Sequence, residues 1–199
     1  MTDKAKIVFV TKSMDKLKEI EKILEMNFTS LLPELNKINF EQIENGNSYR
    51  ENAEKKARLC SLPGYSALAD DSGVEISFFG GKPGIFSSTF LTANENFKER
   101  NRKILQLMEN AEDRSAKYVC TIALVHKSLA YFTQGELEGS IAYAPAGEGG
   151  FAYDEIFIPK GYNKTLAQFT IDEKNKISHR NIALGKMKDL LQRLINFSA

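Results

Sequence analysis

Apolar residues along this chain follow two rhythms. Ile7 to Val10 (IVFV) is a short β-branched and aromatic run, which predicts a buried strand. The next segment, TKSMDKLKEIEKILEM, places Leu17, Ile20, Ile23 and Leu24 at helical spacing with charges between them. A helix therefore follows the first strand, with Thr11 or Ser13 available as its cap. Residues 28–47, with Pro33 and Gly46, read as strand and loop. Ser48 to Leu59 predicts a second helix, opened by a capping box of Ser48 and Glu51. Tyr65 to Ala69 and Val74 to Phe79 read as two short strands, and GGKPG (Gly80 to Gly84) as a turn. Asn94 to Asn110 predicts a helix with Phe97, Ile104, Leu105 and Met108 inward. Lys117 to Val125 and Leu129 to Gln134 form a hairpin through His126, Lys127 and Ser128. EGGFAYDEIFIP runs from loop into strand, and Ser178 to Phe197 is a last helix with Ile182, Leu190, Leu191, Leu194 and Ile195 on one side.

Alternating strands and helices with a hairpin inside predict an α/β fold: a mixed sheet with helices on its faces, bent into two lobes. No repeat, low-complexity tract or linker divides the chain, so residues 1–199 are expected to form one domain. A formal net charge of +1 over 199 residues gives no electrostatic footprint for a nucleic-acid backbone. No run approaches a membrane span, and the N-terminal apolar run is too short for a signal peptide. Two widely spaced cysteines, Cys60 and Cys120, suit buried thiols in a reducing compartment, so the expected location is cytoplasmic.

Several polar residues stand out against this background. Thr11, Ser13 and Lys16 flank the first turn of a helix that follows a strand, where backbone N–H groups favour an anion. Asp70 and Asp71 are adjacent at the predicted end of a strand and lead into Ser72-Gly73. They read either as a turn-and-cap device or as a functional pair. Glu44, in a loop before a helix, adds a third carboxylate, and hard oxygen donors without a His or Cys cluster suit Mg²⁺. In GGFAYD, Phe151 can stack on a flat base. In ISHR, His179 and Arg180 can donate to an acceptor such as a purine carbonyl, with Lys174 close by in sequence.

The ordered set VTKSMDKLKEI, IENGNSYRENAEKKA, ALADDSGVEI, GGKPGIFSS, GGFAYDEIF and EKNKISHR resembles the inosine triphosphatase family of nucleoside-triphosphate pyrophosphatases over nearly the whole chain. The resemblance implies an elongated mixed sheet in two lobes with a central active-site cleft, and a homodimer. It implies a house-cleaning hydrolase that converts non-canonical purine nucleotides (ITP, dITP, XTP) to the monophosphate and pyrophosphate. By the same resemblance, Thr11, Ser13, Lys16 and Lys56 hold the phosphates. Glu44 and Asp71 hold Mg²⁺, with Mn²⁺ as an alternative. Asp71 is the base for the attacking water, supported by Asp70 and Ser72. Phe151, Tyr153, Asp154, Lys174, His179 and Arg180 form the base pocket. The chain departs from the family pattern at Lys12 and Ser13, where T-G-N-x-x-K has become TKSMDK. Ala152 replaces a glycine of GGFGYD, and Thr89 a basic residue. Two rivals remain open on sequence: a Maf-type pyrophosphatase with another base preference, and a nucleotide-binding protein of weak activity.

Overall fold

The computed structural model describes residues 6–11, 14–26, 28, 39–60, 65–91 and 96–196. Five strands lie side by side in the order β1 (Lys6–Phe9), β2 (Tyr65–Ile76), β3 (Ser115–His126), β4 (Leu129–Ile141) and β5 (Phe157–Pro159). β1 and β2 pair in parallel, with Val8 opposite Ala67 and Phe9 opposite Leu68. β4 and β5 pair antiparallel, with Ile141 opposite Phe157. The sheet is thus mixed, as expected. Its helices are α1 (Met14–Leu24), α2 (Tyr49–Leu59), α3 (Phe97–Leu107), α4 (Ile171–Ile177) and α5 (His179–Asn196).

The fold divides into two compact units. The first comprises the described parts of Met1–Asp71, Cys120–Gly135 and Asn181–Ala199; the second is Ser72–Val119 and Glu136–Arg180. In the first unit, strand alternation sorts the core into two layers. Phe9, Leu68, Ile122 and Leu124 pack with Leu17, Ile20 and Leu24 of α1 and with Leu184, Met187 and Leu191 of α5. Their neighbours Val8, Val10, Ala67, Ala69, Ala123 and Val125 pack with Ala53 and Ala57 of α2. Both faces are covered, which explains why IVFV is apolar without alternation. The α2 layer is built largely from alanines, so helix and strand backbones approach closely there. The second unit has its own core: Val74, Ile76, Ile104, Met108, Tyr118, Tyr153, Ile156 and Phe157, among others.

Several boundaries differ from the sequence reading. The two short strands at 65–69 and 74–79 are one continuous strand, and Asp70-Asp71-Ser72-Gly73 lies within it rather than at its end. Ser77–Phe79 closes that strand as a 3-10 turn. His126 belongs to β3, so the hairpin turn is only Lys127 and Ser128, both at positive φ (47° and 70°). That is the backbone a two-residue hairpin needs to match strand twist. β4 runs on past Gln134 to Ile141. Phe97 is 38% exposed rather than inward, while Ile104 and Met108 are fully buried. Helix α4 was not foreseen; Thr170 caps it in a reciprocal capping box with Glu173. Among the described residues of 28–47 there is no strand, only a 3-10 turn at Phe40–Gln42.

Ala57→Leu tests the close approach of α2. The added side chain has no space in the alanine layer and is expected to cost about 1–3 kcal/mol. A urea midpoint equal to that of the parent protein would refute this packing.

Candidate active site

In the first unit, α2 carries a buried stripe of Asn52, Ala53, Lys56 and Ala57. Ser48 caps the helix by accepting the Glu51 backbone N–H at 3.1 Å, while the Glu51 carboxylate accepts the Asn47 N–H at 2.7 Å. The second half of the expected capping box therefore goes one residue further back. The alanines seat the helix, and its two longer side chains reach Asp71 of β2. Asn52 Nδ2 donates to Asp71 Oδ2 at 3.1 Å, and Lys56 Nζ lies 3.6 Å from Asp71 Oδ1. Lys56 also donates to Glu44 Oε1 at 2.6 Å. Asn52 Oδ1 accepts the Gly46 N–H at 2.8 Å, which fixes the loop carrying Glu44.

Asp70 and Asp71 are both buried. Consecutive residues on a strand face opposite sides, so Asp71 shares the α2 face with Ala67 and Ala69, and Asp70 the face of Leu68. This separation limits the repulsion between them. Burial still pushes the Asp71 carboxyl up to about 6, against the pull of Lys56 and Asn52. The Lys56 ammonium is held above its ordinary value: burial opposes its charge, but attraction to Asp70, Asp71 and Glu44 prevails.

In the second unit, Asp154 is buried and accepts three donors. Tyr118 Oη reaches Oδ1 at 3.3 Å; Lys174 Nζ and the Phe151 N–H reach Oδ2 at 2.5 and 2.8 Å. Gly150, at φ +72°, leaves room for that carboxylate where a Cβ would collide with it. Lys174 also sits over the Phe151 ring at 4.7 Å, and Phe151 is 55% exposed. His179 and Arg180, both buried, open α5, and the His179 ring stacks on Tyr118.

The model of the Ham1 family matches residues 7–190. The chain belongs to the Ham1 family. It is 39% identical to a dITP/XTP pyrophosphatase of Aquifex aeolicus, covering 94% of this chain and 96% of that protein. A dITP/XTP pyrophosphatase of Clostridium tetani is 38% identical, covering 95% and 97%. Among solved structures, a Ham1 protein from Coxiella burnetii superposes with TM-score 0.81 at 35% identity, covering 94% of this chain and 98% of that one. The Staphylococcus aureus Ham1 protein gives TM-score 0.83 at 28% identity, covering 94% and 98%.

The expected site residues of this Ham1 protein are placed unevenly. Glu44, Lys56 and Asp71 come together in the first unit; Phe151, Asp154 and Lys174 come together in the second. Thr11 is buried two residues past the end of β1. Ser13 lies outside the described residues, as does Lys12; Lys16 is in α1, its side chain not described. Ser72 follows Asp71 in β2. Tyr153 is buried, its hydroxyl donating to Ser87 O at 2.6 Å, so it supports the surrounding chain from beneath. Ala152 adopts the left-handed conformation, φ 57°, that the glycine of the family pattern takes without strain. Asn52 and Tyr118 were not foreseen. Asn52 had a signal, four residues before Lys56 on one helix face; Tyr118 had none.

The first-unit cluster also fits a divalent metal. Three carboxylates attract one ammonium, so negative charge is in excess, and burial, with a smaller contribution from Glu44 and Asp70, makes Asp71 ionise reluctantly. Among the described residues, no three His, Cys, Asp or Glu side chains are grouped to hold a metal unaided. Glu44 and Asp71 are the carboxylates placed to share in holding a divalent ion that completes its shell with water or phosphate oxygens.

Asp71 should cost stability in the metal-free protein. Its folded value, about 6, lies above its ordinary 3.8, so its contribution is most favourable below pH 4 and is lost as pH rises through 6. Asp71→Asn is expected to stabilise the protein by about 1–3 kcal/mol at pH 7.5 with chelator present, the gain vanishing toward pH 4. A variant less stable than the parent at pH 7.5 would contradict this.

Proposed function

We propose that this chain is a Mg²⁺-dependent pyrophosphatase of non-canonical purine nucleoside triphosphates. It would take dITP, ITP and XTP to the monophosphate and pyrophosphate. The observation that carries the reading is the buried carboxylate Asp71, flanked by Lys56 and Asn52 and joined by Glu44 through the same lysine. The relatives named dITP/XTP pyrophosphatase support the substrate class. Membership of the Ham1 family sets aside the Maf-type alternative.

Asp71 accepts the proton of the attacking water as the α–β phosphoanhydride opens. In the metal-free protein burial raises this carboxyl to about 6, so it is mostly ionised at neutral pH, the form a general base requires. Asn52 holds Oδ2 and leaves the other oxygen to Lys56, fixing the carboxylate before substrate arrives. Lys56 offsets the phosphate charge, together with Thr11, Ser13 and Lys16. Glu44 and Asp71 would hold the metal, with Asp70 and Ser72 in support. Mg²⁺ supplies positive charge to the phosphates and lowers the pKa of bound water.

Phe151 stacks on the base, while Lys174, His179 and Arg180 present donors to a 6-oxo purine; a 6-amino purine leaves them mismatched. Asp154 and Tyr153 hold these groups in place. The enzyme works as a homodimer in the cytoplasm. Cys60 and Cys120 are both buried as thiols, which supports a reducing compartment.

Pyrophosphate release from dITP, ITP, XTP, GTP, ATP and UTP tests the reading. The 6-oxo substrates of the inosine and xanthosine class should be preferred over ATP by about 10²-fold or more. Chelation should abolish turnover, and Mg²⁺ or Mn²⁺ should restore it. Equal turnover of ATP and ITP would overturn the base-pocket assignment. Asp71→Asn should lower kcat by about 10²–10⁴-fold. Near-parental activity would remove Asp71 as the base.

A further inference from the structure

Tyr118 touches two members of the second-unit cluster at once, through different parts of its side chain. Its hydroxyl donates to Asp154 Oδ1 at 3.3 Å. Its ring lies parallel to the His179 imidazole, centroids 4.7 Å apart and planes 6° from parallel. Phe157 packs against the same ring, also at 4.7 Å but tilted by 56°. The tyrosine stands on β3 and is buried, so its own position is set by the core around it.

We propose that Tyr118 is a positioning residue for base selection: it fixes Asp154 and His179 relative to each other, and through Asp154 it fixes Lys174. The inference rests on reading this cluster as the base site. The chain of contacts is short. Tyr118 holds one oxygen of Asp154; the other oxygen holds the Lys174 ammonium and the Phe151 N–H. Lys174 lies in the last turn of α4, and His179 is the first residue of α5. One side chain of the sheet thus governs donors carried by two helices.

A core position needs only an apolar ring here. Phenylalanine would fill it without bringing a hydroxyl that must be satisfied in the interior. The hydroxyl is therefore explained by its polar partners, Asp154 and the Tyr153 backbone N–H, not by packing. Burial pushes the Tyr118 phenol well above its ordinary value, so it remains a donor at any working pH. Donors placed before the ligand arrives save the cost of ordering them on binding. They also sharpen the difference between a 6-oxo and a 6-amino purine, because a loose donor can turn away from the wrong group.

Tyr118→Phe keeps the stack and removes only the hydroxyl. It should raise KM for ITP about tenfold, leave kcat within about twofold, and lower the ITP-over-ATP preference by a similar factor. The stack has a separate readout, because the chain contains only two histidines. With His126→Gln assigning the other ring, the His179 imidazole proton resonances should be shifted upfield in the parent and in Tyr118→Phe, but not in Tyr118→Leu. Selective turnover by the parent with unchanged KM and selectivity in Tyr118→Phe would overturn the inference alone. A parent enzyme without selective turnover would overturn the base-site reading and the inference with it. Unshifted His179 resonances in the parent would refute the stack. If Tyr118→Leu does not fold, the Tyr118→Phe kinetics decide.

Discussion

The first unit depends on one ammonium. Lys56 of α2 is buried with Glu44 and Asp71 within ion-pair distance, and Asp70 also attracts it. Taking any of these ions out of water costs several kcal/mol. The cation makes burial of the acids tolerable without cancelling it, since one ammonium faces three carboxylates. Asp71 shows the cost of burial directly, held near 6 despite a lysine and an amide donor on its two oxygens. A protein selected only for stability would place an asparagine or an alanine there. The retained charge makes sense as something kept for a cation and a phosphate still to arrive.

The packing around Lys56 follows from that constraint. A helix that must present a lysine and an asparagine to a buried strand has to lie close to it. Ala53 and Ala57 on the helix, with Ala67, Ala69 and Ala123 on the strands, allow the approach. The opposite face of the same strands carries Phe9, Leu68, Ile122 and Leu124 against larger helix residues. One face is built for bulk, the other for proximity. The second unit solves a different problem by pairing one carboxylate with one ammonium. It has a stacked ring, an ion-paired carboxylate and a glycine with no room for a side chain, and these fix donors without an excess of negative charge.

Much of this was legible in the sequence. The helical spacing of Leu17, Ile20 and Leu24, the Ser48 cap and the IVFV strand are local signals that the fold respects. The family motifs point to Asp71, Lys56 and Asp154 because each motif is contiguous in sequence. The middle of β2 was not legible. Asp-Asp-Ser-Gly reads as a turn by propensity, yet the strand runs through it as part of a sheet flanked by β1 and β3. Tertiary pairing overrode local preference, as happens in strands. Tyr118 was illegible for the complementary reason: it sits in an ordinary β-rich run, and its partners lie 36 and 61 positions away in sequence.

The continuity of β2 bears on why two acids can stand side by side. In a turn, both carboxylates would project into the same space and repel. In a strand, alternation sends Asp71 to the α2 face and Asp70 to the other, at no cost in sequence length. Asp71 then meets Asn52 and Lys56, and Asp70 adds its own attraction to the same ammonium. Gly73 adds the final condition. A side chain there would collide with the Gly84 carbonyl and the Ser87 hydroxyl, the latter also accepting the Val74 N–H at 2.9 Å. The ADDSG signature is therefore a strand segment in which Ala69, Asp71 and Gly73 each meet a different neighbour. Its turn-like composition reflects the chemistry and close contacts it must serve, not the backbone path it takes.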